Sequence, residues 1–214
     1  MSIKDSFQDL KKFSGYAETI KVNSFLVEPN HESELFEIIK IANERNLNIC
    51  CSGTGLSYAD LITNKDNIIL KTKKLNKILS YDDDAGLITV QSGVTFNDVY
   101  KLILVDNWYL SSCPGGGDVS IGGAVSNNVH GKDSFKNGNF GDSVKSVKIL
   151  RSDGIISEIE RDHEAFQYII SGIGLLGIIT EVTLKLNKIN SNYVEYKNIV
   201  HKNIEEIIEY QELN

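Results

Sequence analysis

No run of apolar residues in this chain approaches the roughly 20 needed to cross a bilayer, and its first ten residues, MSIKDSFQDL, are polar. Neither a membrane span nor a secretory signal is expected. Cysteine is scarce, with Cys50, Cys51 and Cys113 the only three. Neighbours on a strand point to opposite faces, so Cys50 and Cys51 are badly placed to bond each other. No CxxC or Cys/His spacing offers a metal site, and the expectation is reduced thiols in a cytoplasmic protein. A surplus of basic charge is missing too. The formal net charge is −7, and the Lys and Arg residues are scattered, with KTKK at 71–74 their densest cluster. That excludes the aromatic-rich basic stripe of a nucleic-acid surface, and the cluster reads as a solvated strand end. Internal repeats and low-complexity segments are absent.

What is present suits a soluble globular chain. Of the 214 residues, 41% are hydrophobic and 24% charged, enough for one large domain or two small ones around a sizeable core. Asn30 before HESELFEIIKIANERN predicts a helix start, with Glu32 and Glu34 early, Lys40 and Arg45 late, and an apolar stripe of Leu35, Ile38, Ile39 and Ala42. LNICCSG reads as a strand ending in a glycine turn, with DNIILKT as its partner, and LNKILSYDDDAGLITVQSG as two more strands around an acidic turn. Residues 95–106 read as a helix with Phe96, Val99, Leu102 and Ile103 on one side. SVKSVKILRSDGIISEI gives two strands turning at Ser152-Asp153-Gly154. EAFQYIISG follows as a short helix and LGIITEVTLKLNKI as a strand. Helices between groups of strands make the fold class α+β, not the strict alternation of a doubly wound parallel sheet. From residue 190 one strand and one helix are expected, and Ile204, Ile207, Ile208 and Leu213 form a helix face that a single strand cannot cover.

Three glycine clusters carry the functional signal. GIGLLG at 172–177 matches the GxGxxG pattern of a dinucleotide turn, but a helix precedes it and a strand follows. That is the reverse of the nucleotide-binding order, so a plain helix-to-strand connection is expected. SGTGLSY at 52–58 follows a strand and lacks the Gly-Lys-Ser/Thr ending of a phosphate loop. Its glycines, with Thr54 and Ser57, can still turn consecutive N–H groups and hydroxyls toward an anion such as a diphosphate. PGGG at 114–117 stands four residues before Gly122-Gly123, inside a stretch whose remainder, SIGGAVSNNVHGKDSFKNGNFGD, shows almost no periodic apolar face. Glycine is entropically costly. Such a run is either a mobile surface loop or a wrapping for a large ligand, and three clusters favour the ligand.

SGTGLSYAD at 52–60, PGGGDVSIGGAVSNNVHGKD at 114–133, NGNFGD at 137–142 and GLLGIITEVTLKL at 174–186 occur in the order and spacing of the vanillyl-alcohol-oxidase-like (PCMH-type) FAD-binding flavoproteins. Over about residues 13–190 the chain resembles that family, and in particular its decaprenylphosphoryl-ribose 2′-oxidase and sugar-lactone oxidase group. The resemblance implies a PCMH-type FAD-binding domain of two α+β subdomains over residues 1–189, with FAD between them, and the beginning of a truncated substrate domain over 190–214. It implies that Ser52, Gly53, Thr54, Gly55, Leu56, Ser57 and Tyr58 wrap the diphosphate. Gly115, Ser120, Ile121, Gly122 and Gly123 would approach the cofactor closely. His130, Gly131, Lys132 and Asp133 would lie beside the flavin and its ribityl chain, and Ile179 would meet the adenine side.

Individual residues keep second readings: His130 as a structural histidine, Lys132 as a surface lysine, Tyr58 as core or as a wall of the substrate pocket, and Trp108 as core. Relatives that bond the flavin covalently carry His at the position of Leu56; leucine has no nucleophilic atom, so FAD is expected to be non-covalent. Where relatives often carry Arg, this chain has Ser52, which removes one fixed charge near the diphosphate. The implied reaction oxidises a CH–OH group of a sugar, polyol or sugar lactone, and no residue is assigned as its catalytic base. Three readings stand: an FAD domain whose substrate half lies elsewhere, a flavin module working with a second chain or by self-association through 204–213, and a remnant that binds neither flavin nor substrate.

Overall fold

The computed structural model describes residues 3–58 and 60–213. Its first half builds a four-stranded sheet from β1 (Lys11–Ser14), β2 (Lys21–Val27), β3 (Ile49–Ser52) and β4 (Ile68–Lys71), in the order β1-β2-β4-β3. β1 and β2 are antiparallel, whereas β4 runs parallel to both its neighbours. Parallel strands need a crossover, and α1 (Glu34–Arg45) supplies it between β2 and β3. The expected stripe of Leu35, Ile38, Ile39 and Ala42 is buried, together with Ile41. Each fully buried aliphatic side chain contributes about 1.5–3 kcal/mol. The helix begins later than its sequence suggests. Ser33, not Asn30, is the N-cap and makes no side-chain cap. The reason is Glu34, whose Oε2 accepts the N–H groups of Asn30 at 2.6 Å and His31 at 3.2 Å and holds 30–33 in a turn. Asn46 closes the helix in the left-handed conformation (φ 52°).

The second half forms a five-stranded antiparallel sheet. β5 (Ile78–Asp82), β6 (Leu87–Gln91), β8 (Val144–Leu150), β9 (Ile156–Glu160) and β10 (Ile178–Lys185) lie in the order β5-β6-β10-β8-β9. The β8–β9 hairpin turns where Asp153-Gly154 demands it, with Gly154 at φ +79°. α2 (Phe96–Ile103) starts at Thr95, whose hydroxyl accepts the Asp98 N–H while the Asp98 carboxylate accepts the Thr95 N–H. A two-stranded pair, β7 (Trp108–Tyr109) with β11 (Asn187–Lys188), lies apart from this sheet. Trp108 is half-buried rather than central: its Nε1 donates to the Asp83 carbonyl and the Lys188 ammonium sits 4.4 Å from its ring centre. Lys71 and Lys74 of the basic cluster reach Glu28, as a solvated strand end allows.

Two cores match the two sheets. One gathers Val27, Leu35, Ile38, Ile68 and Leu70; the other gathers Ile88, Phe96, Val99, Phe140, Val147 and Val182. Leu150 and Ile178, at adjoining ends of β8 and β10, belong to the first core and so fasten the sheets together. The fold is that of two α+β subdomains.

Two segments differ from expectation. The glycine-rich stretch is partly helical, with α3 (Ile121–Asn127) and α4 (Ser134–Asn137). Ile121, Ala124 and Val125 are buried in the second core, so tertiary burial overrides the poor helix propensity of Gly122 and Gly123. Past α5 (Phe166–Ile169) and β11, residues 190–203 form no strand. α6 (Ile204–Leu213) follows, buries none of its residues, and carries Ile204, Ile208 and Leu213 exposed as expected.

Candidate cofactor site

A cleft opens between the subdomains. Cys51, Gly53, Ser57, Leu61, Ile62 and Thr72 line it from the first, opposite Ser92, Gly122, Gly123, Ser126 and Asn127 of the second. Ile173, Gly174, Gly177 and Ile179 close one side. None of these residues is charged at neutral pH. Burial pushes the Cys51 thiol up to about 12, with Cys50 beside it adding to the shift, so that group is neutral too.

The elements that frame the cleft place its lining by short-range necessity. β3 ends at Ser52 and delivers Gly53 directly beneath Ser120, the N-cap of α3; a methyl group on Gly53 would collide with the Ser120 hydroxyl. A Cβ on Gly122 would come within 2.6 Å of Ser92 Cβ and 3.0 Å of its carbonyl oxygen. These two glycines therefore permit close approach of protein to protein, which narrows the cleft floor. Ile121 faces away: its side chain is in the second core and its N–H donates to the Val94 carbonyl at 2.7 Å.

The expected site residues fall into two groups. Gly53, Ser57, Gly122, Gly123 and Ile179 line the cleft, with Ser52 and Ser120 buried beside Gly53. Between them Thr54, Gly55 and Leu56 form a half-buried loop with Gly55 at φ +82°. Tyr58 is exposed, in edge contact with Tyr16 at 5.8 Å, and is not core. The second group surrounds the turn at Ser112 and Cys113. Asp133 accepts hydrogen bonds from the Ser112 N–H and the Asn137 side chain. Burial pushes its carboxyl up, but those hydrogen bonds outweigh the effect and hold it below the usual carboxylate range. Gly131 packs so tightly on this turn that a Cβ would lie 2.7 Å from the Cys113 carbonyl oxygen. Gly115, two residues past Cys113, is exposed with open space around it, and His130 and Lys132 are exposed. None of this second group lines the cleft.

Sequence reasoning marked five of the fifteen lining residues and missed the other ten. Ser92 carried no motif, and GIGLLG was set aside as a connection. It is one, between α5 and β10, yet Ile173, Gly174 and Gly177 of it wall the cleft. Ile173 has φ +53°, a left-handed conformation rare for a β-branched residue, and its N–H donates to the Ser126 carbonyl at 2.9 Å.

Two α+β subdomains enclosing a neutral, glycine- and serine-lined cleft define a domain built to hold a large nucleotide cofactor. The chain belongs to the FAD-binding-domain family, whose model matches residues 24–160, more than half of the 214. It is 28% identical over 187 residues to decaprenylphosphoryl-β-D-ribose oxidase of Mycolicibacterium smegmatis, covering 86% of this chain and 41% of that protein. It is also 28% identical to a D-lactate dehydrogenase of Anaerostipes hadrus, over 81% of this chain and 39% of the relative. The chain thus spans about two fifths of these relatives' length. Among solved structures, alkyldihydroxyacetonephosphate synthase superimposes with a TM-score of 0.71 at 21% identity, over 80% of this chain and 33% of that one, a likeness of fold.

Family membership makes FAD the cofactor. The residues present fit it. Gly53, Gly122 and Gly177, whose side-chain positions are already filled by neighbouring protein, hydroxyls at 57, 72, 92 and 126, and no carboxylate among the described lining residues suit a dinucleotide with an anionic centre.

Proposed function

We propose that this chain is the FAD-binding part of an oxidoreductase acting on a CH–OH group of a sugar or polyol. One observation carries the reading: three glycine motifs far apart in sequence contribute Gly53, Gly122 and Gly177 to a single uncharged cleft between the subdomains. Oxidation of a secondary alcohol to a ketone, or of a lactol to a lactone, is the chemistry a bound FAD supplies by accepting the hydride. The chain's own residues bind and orient. The loop 52–58 holds the diphosphate by neutral donors, Gly122-Gly123 approach it closely, and Ile179 borders the adenine end. The group around Ser112, with Gly115 and His130–Asp133, borders the flavin end. Lys132 is exposed, and its role at that end is to favour an anionic ring. Binding is non-covalent, because Leu56 offers no nucleophile.

A second reading, an FAD-binding subunit that works only with a partner, is favoured by α6. Its Ile204, Ile208 and Leu213 are more than half exposed, and an unpaired apolar helix face is a docking surface in want of a second chain or a second copy. Residues 190–213 then start the substrate-binding portion. The three free cysteines support a reducing, cytoplasmic setting.

The test is the visible absorption spectrum of the purified chain before and after FAD addition and desalting. Flavin bands that survive desalting and leave on denaturation support the reading. A folded, colourless protein that retains no added FAD refutes it.

A further inference from the structure

Ser92 is buried to 2% exposure, and its hydroxyl has no hydrogen-bond partner among the described residues. Its backbone is fully committed: the N–H donates to the Thr180 carbonyl at 2.9 Å, and the carbonyl accepts from the Gly122 N–H at 2.8 Å. A buried hydroxyl left unpaired destabilises the fold, and an alanine would pack there without that penalty. A serine at this position is explained by a group that pairs with it from outside the protein. The residue lies in the lining of the cleft, at the junction of β6, β10 and α3, with Gly122 pressed against it.

We infer that Ser92 is a cofactor-holding residue, its hydroxyl donating to the diphosphate of the bound dinucleotide. The inference rests on the FAD reading above and extends it to a residue that no glycine motif marks. The chemistry follows from the lining. With no lysine or arginine among the described residues of the lining, a diphosphate there is held by neutral donors alone, and each one then counts for more than in a site with a fixed cation. A hydroxyl rotates to suit an acceptor oxygen, and at Ser92 no protein acceptor competes for the proton. The Gly122 N–H cannot take this role, because the Ser92 carbonyl holds it. Ser92 therefore serves the close approach twice, anchoring α3 through its main chain and the ligand through its side chain.

The test titrates FAD, ADP and riboflavin into the full chain by fluorescence, beside Ser92→Ala and the size-conserving Ser92→Cys, with the melting temperature of each protein measured without ligand. A charge-assisted hydrogen bond predicts FAD and ADP binding weakened about 10- to 100-fold in both variants. Riboflavin, which has no diphosphate, should bind as to the wild type. The unliganded melting temperature of Ser92→Ala should be unchanged or higher, since an orphaned hydroxyl is removed; a purely structural serine would lower it. Wild-type affinity for FAD and ADP in Ser92→Ala overturns the inference and leaves the FAD reading intact. Equal weakening toward riboflavin also overturns it, because the effect would not then lie at the diphosphate. A wild-type chain that binds none of the three overturns both.

Discussion

Two glycine clusters of this chain stand differently against the cleft. PGGG at 114–117 looked like a cofactor loop, and in the structure Gly115 and Gly116 are exposed with nothing near the place of a side chain. GIGLLG at 172–177 looked like a plain connection, and its Gly174 and Gly177 line the cleft. Glycine density therefore says little by itself. What distinguishes the clusters is the surface behind them: 172–177 is tied back to α3 by the Ser171 and Ile173 N–H groups, donating to the Val125 and Ser126 carbonyls, whereas Gly115 and Gly116 stand clear.

Substitutions can sharpen or break that contrast. The largest effect is expected at the cleft floor, where Gly122→Val forces a branched side chain onto the main chain of Ser92. A loss of about 3 kcal/mol in urea unfolding is expected, the upper end for overpacking, with FAD no longer retained. Gly177→Ala should cost about 1–3 kcal/mol, since Gly177 has φ +153° and an added Cβ would lie 2.9 Å from the Leu150 carbonyl oxygen. An unchanged midpoint would show that the 172–177 loop is as tolerant as 114–117. Ile173→Gly removes an unfavourable left-handed conformation and should gain about 0.5 kcal/mol after the entropy of the new glycine is deducted. FAD should bind a few-fold more weakly for loss of a cleft wall, read by the same titration. Smallest of all, Gly115→Ala should move stability by less than about 0.5 kcal/mol. If it also leaves FAD affinity untouched, Gly115 does not belong to the site and the contrast between the two clusters is complete.

Much of the fold was legible because local signals agreed with the tertiary outcome. The α1 stripe and the Asp-Gly hairpin are encoded within a few residues, and each stands where its pattern put it. α3 was not legible. Its helix rests on burying Ile121, Ala124 and Val125 among residues distant in the chain, while its two glycines argue locally against a helix. The start of α1 was misplaced for the opposite reason, a local competitor, the Glu34 carboxylate, outweighing a plausible cap. At the site, the loop at 53–57 and Gly122-Gly123 were marked by their composition. Ser92 was not, because a serine at a strand end has no signature until its partners are known.

The sequence by itself determined the glycine-bearing turns, the helix stripes and the family to which the chain belongs. These depend on residue type and short spacing, which survive without coordinates. Only the tertiary structure decided which glycines face the cleft, that Ile121 turns into the core, and that the hydroxyl of Ser92 is left without a protein partner. Each of these is a relation between elements from both halves of the chain, fixed when the two sheets join through Leu150 and Ile178, and no local pattern carries it.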